Sequence, residues 1–154
     1  MTGILSLRDM LGLNNRFSVK INDMDLGMWG SCKGLSVDFK PEPIKQGGVY
    51  DYQTILPGQV QYKAVTLRRA INPKDSKTVQ DYLRKMMSDW VGAMKQTGAG
   101  GHADISLYSS EGAKLMTWTL HNVFPSRWDG PELDALTAAG IAMETLELVH
   151  EGFL

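Results

Sequence analysis

From Arg16 onward, apolar and polar side chains alternate strictly. Phe17, Val19 and Ile21 fall on one side, and Arg16, Ser18, Lys20 and Asn22 on the other. Period two predicts a half-buried strand. Asn22-Asp23-Met24-Asp25 supplies turn chemistry. A second extended segment follows from Leu26 to Phe39, interrupted by Gly27, Gly30 and Gly34. Glycine inside such a segment marks a bulge or bend. Asp38 to Gly48 carries two prolines and two glycines and predicts a long loop, a place where function often sits. Val49–Leu56 and Tyr62–Ala70 are again strand-like. Pro57-Gly58 between them predicts that they pair as a hairpin.

The pattern then changes period. Val79, Tyr82, Leu83, Met86, Met87, Trp90, Val91 and Met94 recur at i, i+3, i+4 and i+7, which predicts one amphipathic helix. Lys77, Gln80, Asp81, Arg84, Lys85 and Asp89 fill its other side. Asp81 and Lys85 can pair across one turn, for about 0.2–0.5 kcal/mol. Either Asn72-Pro73 or Asp75-Ser76 can start it. Thr97 to Gly101 stops it.

Alternation returns with Ala103, Ile105 and Leu107. Ser109-Ser110-Glu111-Gly112 turns the chain into a strand from Leu115 to Phe124, which Pro125 is expected to end. Trp128 to Pro131 reads as a turn, Glu132 to Gly140 as a linker, and Ile141 to His150 as the last strand. The sum is six to eight strands and one helix. The predicted fold is mainly β, an antiparallel β-sandwich or barrel with one flanking α-helix that covers an edge or an open end. Two strand faces carry small or polar side chains suited to a wet surface or a lumen. One holds Thr117 and Thr119, the other Ala64, Thr66 and Arg68.

Composition narrows the function. The chain has 154 residues, which fits an N-terminal arm over 1–14 and a single domain over 15–154. The arm holds Ile4, Leu5, Leu7, Leu11 and Leu13 and needs a surface to lie against. Sixteen Lys and Arg balance 17 Asp and Glu, so no global field draws in nucleic acid. Cys32 is alone, which excludes an intramolecular disulfide. No run reaches the roughly 18 apolar residues of a membrane span, and the start lacks signal-peptide features. Synthesis in a reducing cytoplasm is expected.

Candidate chemistry is sparse. His102, His121 and His150 have no metal-ligand spacing, and Cys32 reads as a small core residue rather than a nucleophile. The glycines at 98–101 follow a helix instead of preceding one, so they lack the oriented N–H groups of a phosphate loop. Arg68-Arg69 reads as a solvated or interface pair. Glu144 shares a face with Ala142, Leu146 and Leu148, so a bulge or interface contact is expected there. No enzyme activity, cofactor or metal is expected.

Several stretches, in order, resemble the tail tube proteins of contractile phages and contractile injection systems, the T4-type group. Asn15 to Asn22, followed by Gly34-Leu35-Ser36-Val37, is similar to that family's N-terminal hairpin. Leu67-Arg68-Arg69-Ala70-Ile71 running into Asn72-Pro73-Lys74-Asp75 is similar to its hairpin-to-helix junction. Glu144 to Phe153 is similar to its closing strand and tail.

The resemblance implies six copies closing into a ring, four strands from each entering one inner barrel. Twenty-four strands about 4.8 Å apart and tilted about 40° give a backbone diameter of about 48 Å and a pore of about 40 Å. It also implies rings stacked into a tube, with DNA or protein cargo in the lumen and a tail sheath protein outside. Baseplate or spike and tail-terminator proteins sit at the ends, and membranes are met only indirectly, through the particle. Ring-stacking and subunit contacts then map to the arm residues, to Lys40, Glu42, Ile44 and Lys45, and to a hairpin tip at Gln53–Tyr62 with Tyr52, Gln53, Gln59 and Gln61. The alternatives are a tube-initiator paralogue at the baseplate and a secreted, type VI-like hexameric effector carrier.

Overall fold

The computed structural model describes residues 16–48, 50–92, 101–132 and 141–154. The arm, the glycines at 98–100 and most of the expected linker lie outside them, as do the side chains of Trp90, Val91 and Met94. The described strands are β1 (Arg16–Ile21), β2 (Met24–Trp29), β3 (Ser31–Lys33), β4 (Val37–Asp38), β5 (Glu42–Ile44) and β6 (Thr54–Leu56). After them come β7 (Gln61–Tyr62), β8 (Val65–Ala70), the helix α1 (Pro73–Gly92), β9 (Gly101–Tyr108), β10 (Lys114–Asp129) and β11 (Met143–Val149). The mainly-β expectation with one helix holds. The strand count rises because Leu26–Phe39 is three strands in three places and the Asp38–Gly48 loop contains β5.

Seven strands form one antiparallel sheet in the order β2-β1-β9-β10-β11-β8-β3. β10 belongs to both halves. Its first part pairs with β9 and its second with β11, and register shifts fall between Leu120 and Val123 and between Pro125 and Arg127. Asn122, at φ 49, takes the left-handed conformation at the first shift. Pro125 therefore does not end the strand. It sits opposite Leu148 beside a bulge, where a missing N–H costs little. Trp128 and Asp129 are strand residues, and His121 lies inside the strand. The bend folds one half of the sheet over the other. The edges β2 and β3 end up separated in sequence only by Gly30, whose N–H donates to Arg68 O on β8.

The core lies between the halves. Period-two positions supply Val19 and Ile21, Leu26 and Trp29, Val65 and Leu67, Ala103 and Ile105, Leu120 and Val123, and Leu146 and Leu148. Helix α1 adds Val79 and Tyr82 and packs on the edge strand β2 and on β10. Asn72 caps it, accepting from Lys74 N–H at 3.1 Å, and Pro73 occupies the first turn. Leu83 and Met86 line the core as expected. Met87 does not, at 67% exposed, because the apolar stripe turns away from the sheet there. Asp81 pairs with Arg84 at 3.3 Å on the solvent side.

One polar cluster penetrates this core. Glu144 on β11 is 0% exposed and lies directly opposite Arg69 on β8. The Arg69 Nε–H donates to its carboxylate at 2.6 Å, Ser76 Oγ donates at 2.8 Å, and Trp128 Nε1–H at 3.2 Å. Arg69 also donates to Leu26 O and Met28 O on β2, and its guanidinium stacks 4.0 Å above the Trp29 ring. The cluster ties β2, β8, β10, β11 and the start of α1 together. Both expectations for these residues are corrected: Arg69 is 4% exposed rather than solvated, and β11 runs past Glu144 in unbroken register. Arg68, its neighbour, points outward and is exposed.

Candidate assembly interface

Residues 37–62 leave the sheet as one long two-stranded ribbon. β4 pairs with β7 (Val37↔Tyr62, Asp38↔Gln61), and β5 pairs with β6 (Glu42↔Leu56, Pro43↔Ile55, Ile44↔Thr54). The register slips by one residue between the two pairs. Lys40, at φ 42, absorbs the slip, its N–H bonded to Asp38 Oδ1 at 3.0 Å. Gly58 lies across from it, so close to Lys40 O that any side chain would collide with the carbonyl. Pro57-Gly58 is thus the crossing point of a bulge and not a turn. The expected pairing of Val49–Leu56 with Tyr62–Ala70 is replaced accordingly. β6 pairs back with β5, while β8 is claimed by β11 and β3. The described tip residues are 45–48 and 50–53, beyond the last pair Ile44↔Thr54, and the rest of the expected tip, 54–62, is a leg of the ribbon.

The ribbon brings together Lys40, Glu42, Ile44, Lys45, Tyr52, Gln53, Gln59 and Gln61, all exposed. Ile4, Leu5, Leu7, Leu11 and Leu13 lie outside the described residues. Sequence reasoning missed the ribbon's most telling residues. Tyr50 is 98% and Ile55 66% exposed, and Phe39, Leu56 and Val60 are exposed as well. None of the described residues from 39 to 60 is buried. The available signal was the density of aromatic and branched side chains in a segment with too many prolines for a sheet interior. So many large apolar side chains left in water on one ribbon mark a contact surface.

The root of the ribbon is pinned by ring packing. Tyr62 meets His150 at 5.6 Å and Phe153 edge-on at 5.2 Å between centroids. His150 Nε2–H donates to Lys63 O at 3.0 Å. The tail itself is anchored by backbone bonds between His121 and Gly152 and between Glu151 and His121. Burial pushes the His150 imidazole below its usual range, against the carbonyls of Lys63 and Gly152, which favour the proton. The folded state thus holds His150 neutral, while the unfolded chain takes up a proton near pH 6.5. Stability contributed here is present above that value and is lost as pH falls toward the lowered folded pKa. Urea midpoints measured between pH 7.5 and 5 should fall more steeply for the wild type than for His150→Gln.

The other candidate chemistry separates in space. Burial pushes the Cys32 thiol up to about 11, so it stays protonated near neutral pH. No group of three His, Cys, Asp or Glu able to hold a metal occurs among the described residues. No described helix is long and apolar enough to cross a membrane. The two polar sheet faces fall in different halves. Thr117 and Thr119 bond Ser106 and Asp104 across β9 and β10, while Thr66 and Arg68 face outward from β8.

The sequence matches the family model described as T4-like virus tail tube protein gp19 over residues 13–154. A chain of the extended-state sheath–tube complex of PVC, an extracellular contractile injection system, is 25% identical, with a TM-score of 0.65 over 89% of this chain and 85% of that one. A chain of the tube-terminating cap of the anti-feeding prophage is also 25% identical, with a TM-score of 0.64 over 88% of this chain and 84% of that one. A type six secretion system protein shares the fold at 11% identity and a TM-score of 0.50, over 88% and 79% of the two chains. No curated protein matches the sequence.

Proposed function

Since this chain belongs to the T4-like tail tube protein family, we propose that six copies close into a ring and that rings stack head to tail into the hollow inner tube of a contractile tail or injection system. The ribbon at 37–62 carries this reading. A single subunit leaves its apolar side chains in water, and another copy at a fixed position would cover them in every subunit. The sheet supports it too. Among the described residues, β3 pairs on one side only, and ring closure removes such an edge, whereas the β2 edge is covered within the subunit by Arg69 and the helix. Head-to-tail contacts do not close, so they extend into a filament.

The tube conveys DNA or protein effectors through its lumen. A sheath protein surrounds it, and baseplate, spike and terminator proteins bind its ends, as the sheath–tube and cap complexes of its structural neighbours suggest. The subunit is made in the cytoplasm and enters a phage-tail-like particle. Negative-stain microscopy of the purified protein, alone and with its sheath and baseplate proteins, tests the reading. Rings and stacked tubes are expected. A strictly monomeric protein under every one of these conditions contradicts it.

A further inference from the structure

The second half of β10 forms a half-sheet with three other strands, in the order β10-β11-β8-β3. Among the described residues this half-sheet is open at both edges. β3 pairs only with β8, and Arg127 to Asp129 only with β11. The other half-sheet is covered at β2 by Arg69 and the helix, and at His121 by the tail. Four antiparallel strands are an even number. In a ring, β3 of one copy and β10 of the next therefore run in opposite directions, and the sheet continues without a break in its pattern. Its inner face is committed to the core through Leu67, Leu146 and Leu148. The outward face is left for the bore.

Cross-strand register sets the charge of that face. Lys33, Thr66, Glu147 and Arg127 form one row, and Arg68, Thr145 and Asp129 the next. Arg127 lies between two carboxylates. It donates to Asp129 at 3.1 Å and sits opposite Glu147. Lys33 and Arg68 are exposed and pair with no carboxylate among the described residues. Three cations against two carboxylates leave one net positive charge on the face, carried by β3 and β8. Every copy repeats it, so a ring would carry a belt of unmatched cations. A DNA duplex is about half as wide as a pore of roughly 40 Å, and centred there it stands off the wall by more than a Debye length of about 8 Å. Screening removes most of its attraction. A folded protein that fills the bore touches the wall directly. We propose that the outward face of β3, β8, β11 and the second half of β10 is the lumen wall, and that its Arg68 and Lys33 belt fits a folded protein cargo with an acidic surface. The assignment rests on the reading that six copies close into a tube, and it names the lining and the cargo.

Tubes assembled from the full chain are mixed, at physiological ionic strength, with three fluorescent probes. These are one small globular protein in an acidic and a basic form, and a short DNA duplex. Sedimentation with the tubes reads retention. The acidic form is expected to be retained about tenfold or more over the basic form and over the duplex. Lys33→Glu with Arg68→Glu should reverse the order of the two proteins. Arg68→Gln, which only removes a charge, should fall between and serves if the double variant does not assemble. Equal retention of the two forms, or preference for the basic one, overturns the cargo assignment. Preference for the duplex overturns it too and assigns the wall to nucleic acid.

A second arm tests the placement without any cargo. In a Cys32→Ser background, Arg68→Cys is expected to react with a small maleimide in subunits and in tubes alike. A maleimide on a polymer wider than the pore should label the subunits and spare the intact tubes. Labelling of tubes by the wide reagent at the subunit rate overturns the lumen placement and leaves the tube reading standing. Failure of the wild-type protein to assemble at all overturns the tube reading itself.

Discussion

Glu144→Ala is expected to destabilise the subunit by about 3–5 kcal/mol, the usual cost of breaking a buried ion pair from one side. For a domain of this length that is roughly 6–20 °C in Tm. The size follows from what the carboxylate serves. It is fully buried and accepts from Arg69, Ser76 and Trp128, on three different elements. Its removal strands the guanidinium in the core, leaves two further donors unpaired, and opens a space where a packed side chain stood. Glu144→Gln keeps the shape and part of the hydrogen bonding and should fall between wild type and Glu144→Ala. Arg69→Met with Glu144→Leu removes both charges and should recover much of the loss. Recovery stays incomplete because Leu26 O and Met28 O then lack their donor. Urea denaturation with unchanged m-values reads these differences. A loss below about 1 kcal/mol for Glu144→Ala would mean that the pair is far less buried in solution.

Replacing residues 39–60 with a two-residue Asn-Gly turn should abolish assembly and leave the subunit folded. The turn would join β4 and β7 where they already pair, at Asp38 and Gln61. Since none of the removed described residues is buried, the core keeps its side chains and Tm should move by only a few degrees. Assembly should disappear from sedimentation and microscopy together, because the exposed aromatic and branched side chains go with the ribbon. Tubes formed by the shortened chain would show that ring stacking uses other surfaces.

The parts of this fold that were legible in the sequence are those held by local contacts. β1 and β2 pair across two residues, and the helix announces itself through Val79, Tyr82, Leu83 and Met86 and through the Asn72-Pro73 start. The ribbon was harder. Pro41, Pro43 and Pro57 are loop signals inside a sheet, yet in a free two-stranded ribbon a missing donor can face solvent. Pairing of 42–44 with 54–56 is also decided against a competitor, since β8 prefers the buried slot between β11 and β3. Pro125 misled for a related reason: a bulge beside it lets one strand serve both halves of the sheet.

The Arg69–Glu144 pair spans 75 residues in sequence, but half of its signal was present. Arg69 keeps the phase of Val65 and Leu67, and Glu144 that of Leu146 and Leu148. Each charge is thereby placed on an apolar face, and only the cross-strand register shows that they answer each other. Of the expected contact residues, those in the ribbon are brought together by one bulged hairpin. The apolar residues that make it a contact surface were hidden by reading the same stretch as a loop over 38–48 and a separate hairpin strand over 49–56.

The central claim is that this chain completes itself only in a ring that stacks through the 37–62 ribbon. A cryo-EM reconstruction of the assembled protein tests it most directly. The account predicts six-fold rings in a continuous tube, with each ribbon crossing into a neighbouring copy and Tyr50, Phe39 and Ile55 covered there. Rings or tubes in which the ribbon stands free in solvent, with those side chains uncovered, would contradict it.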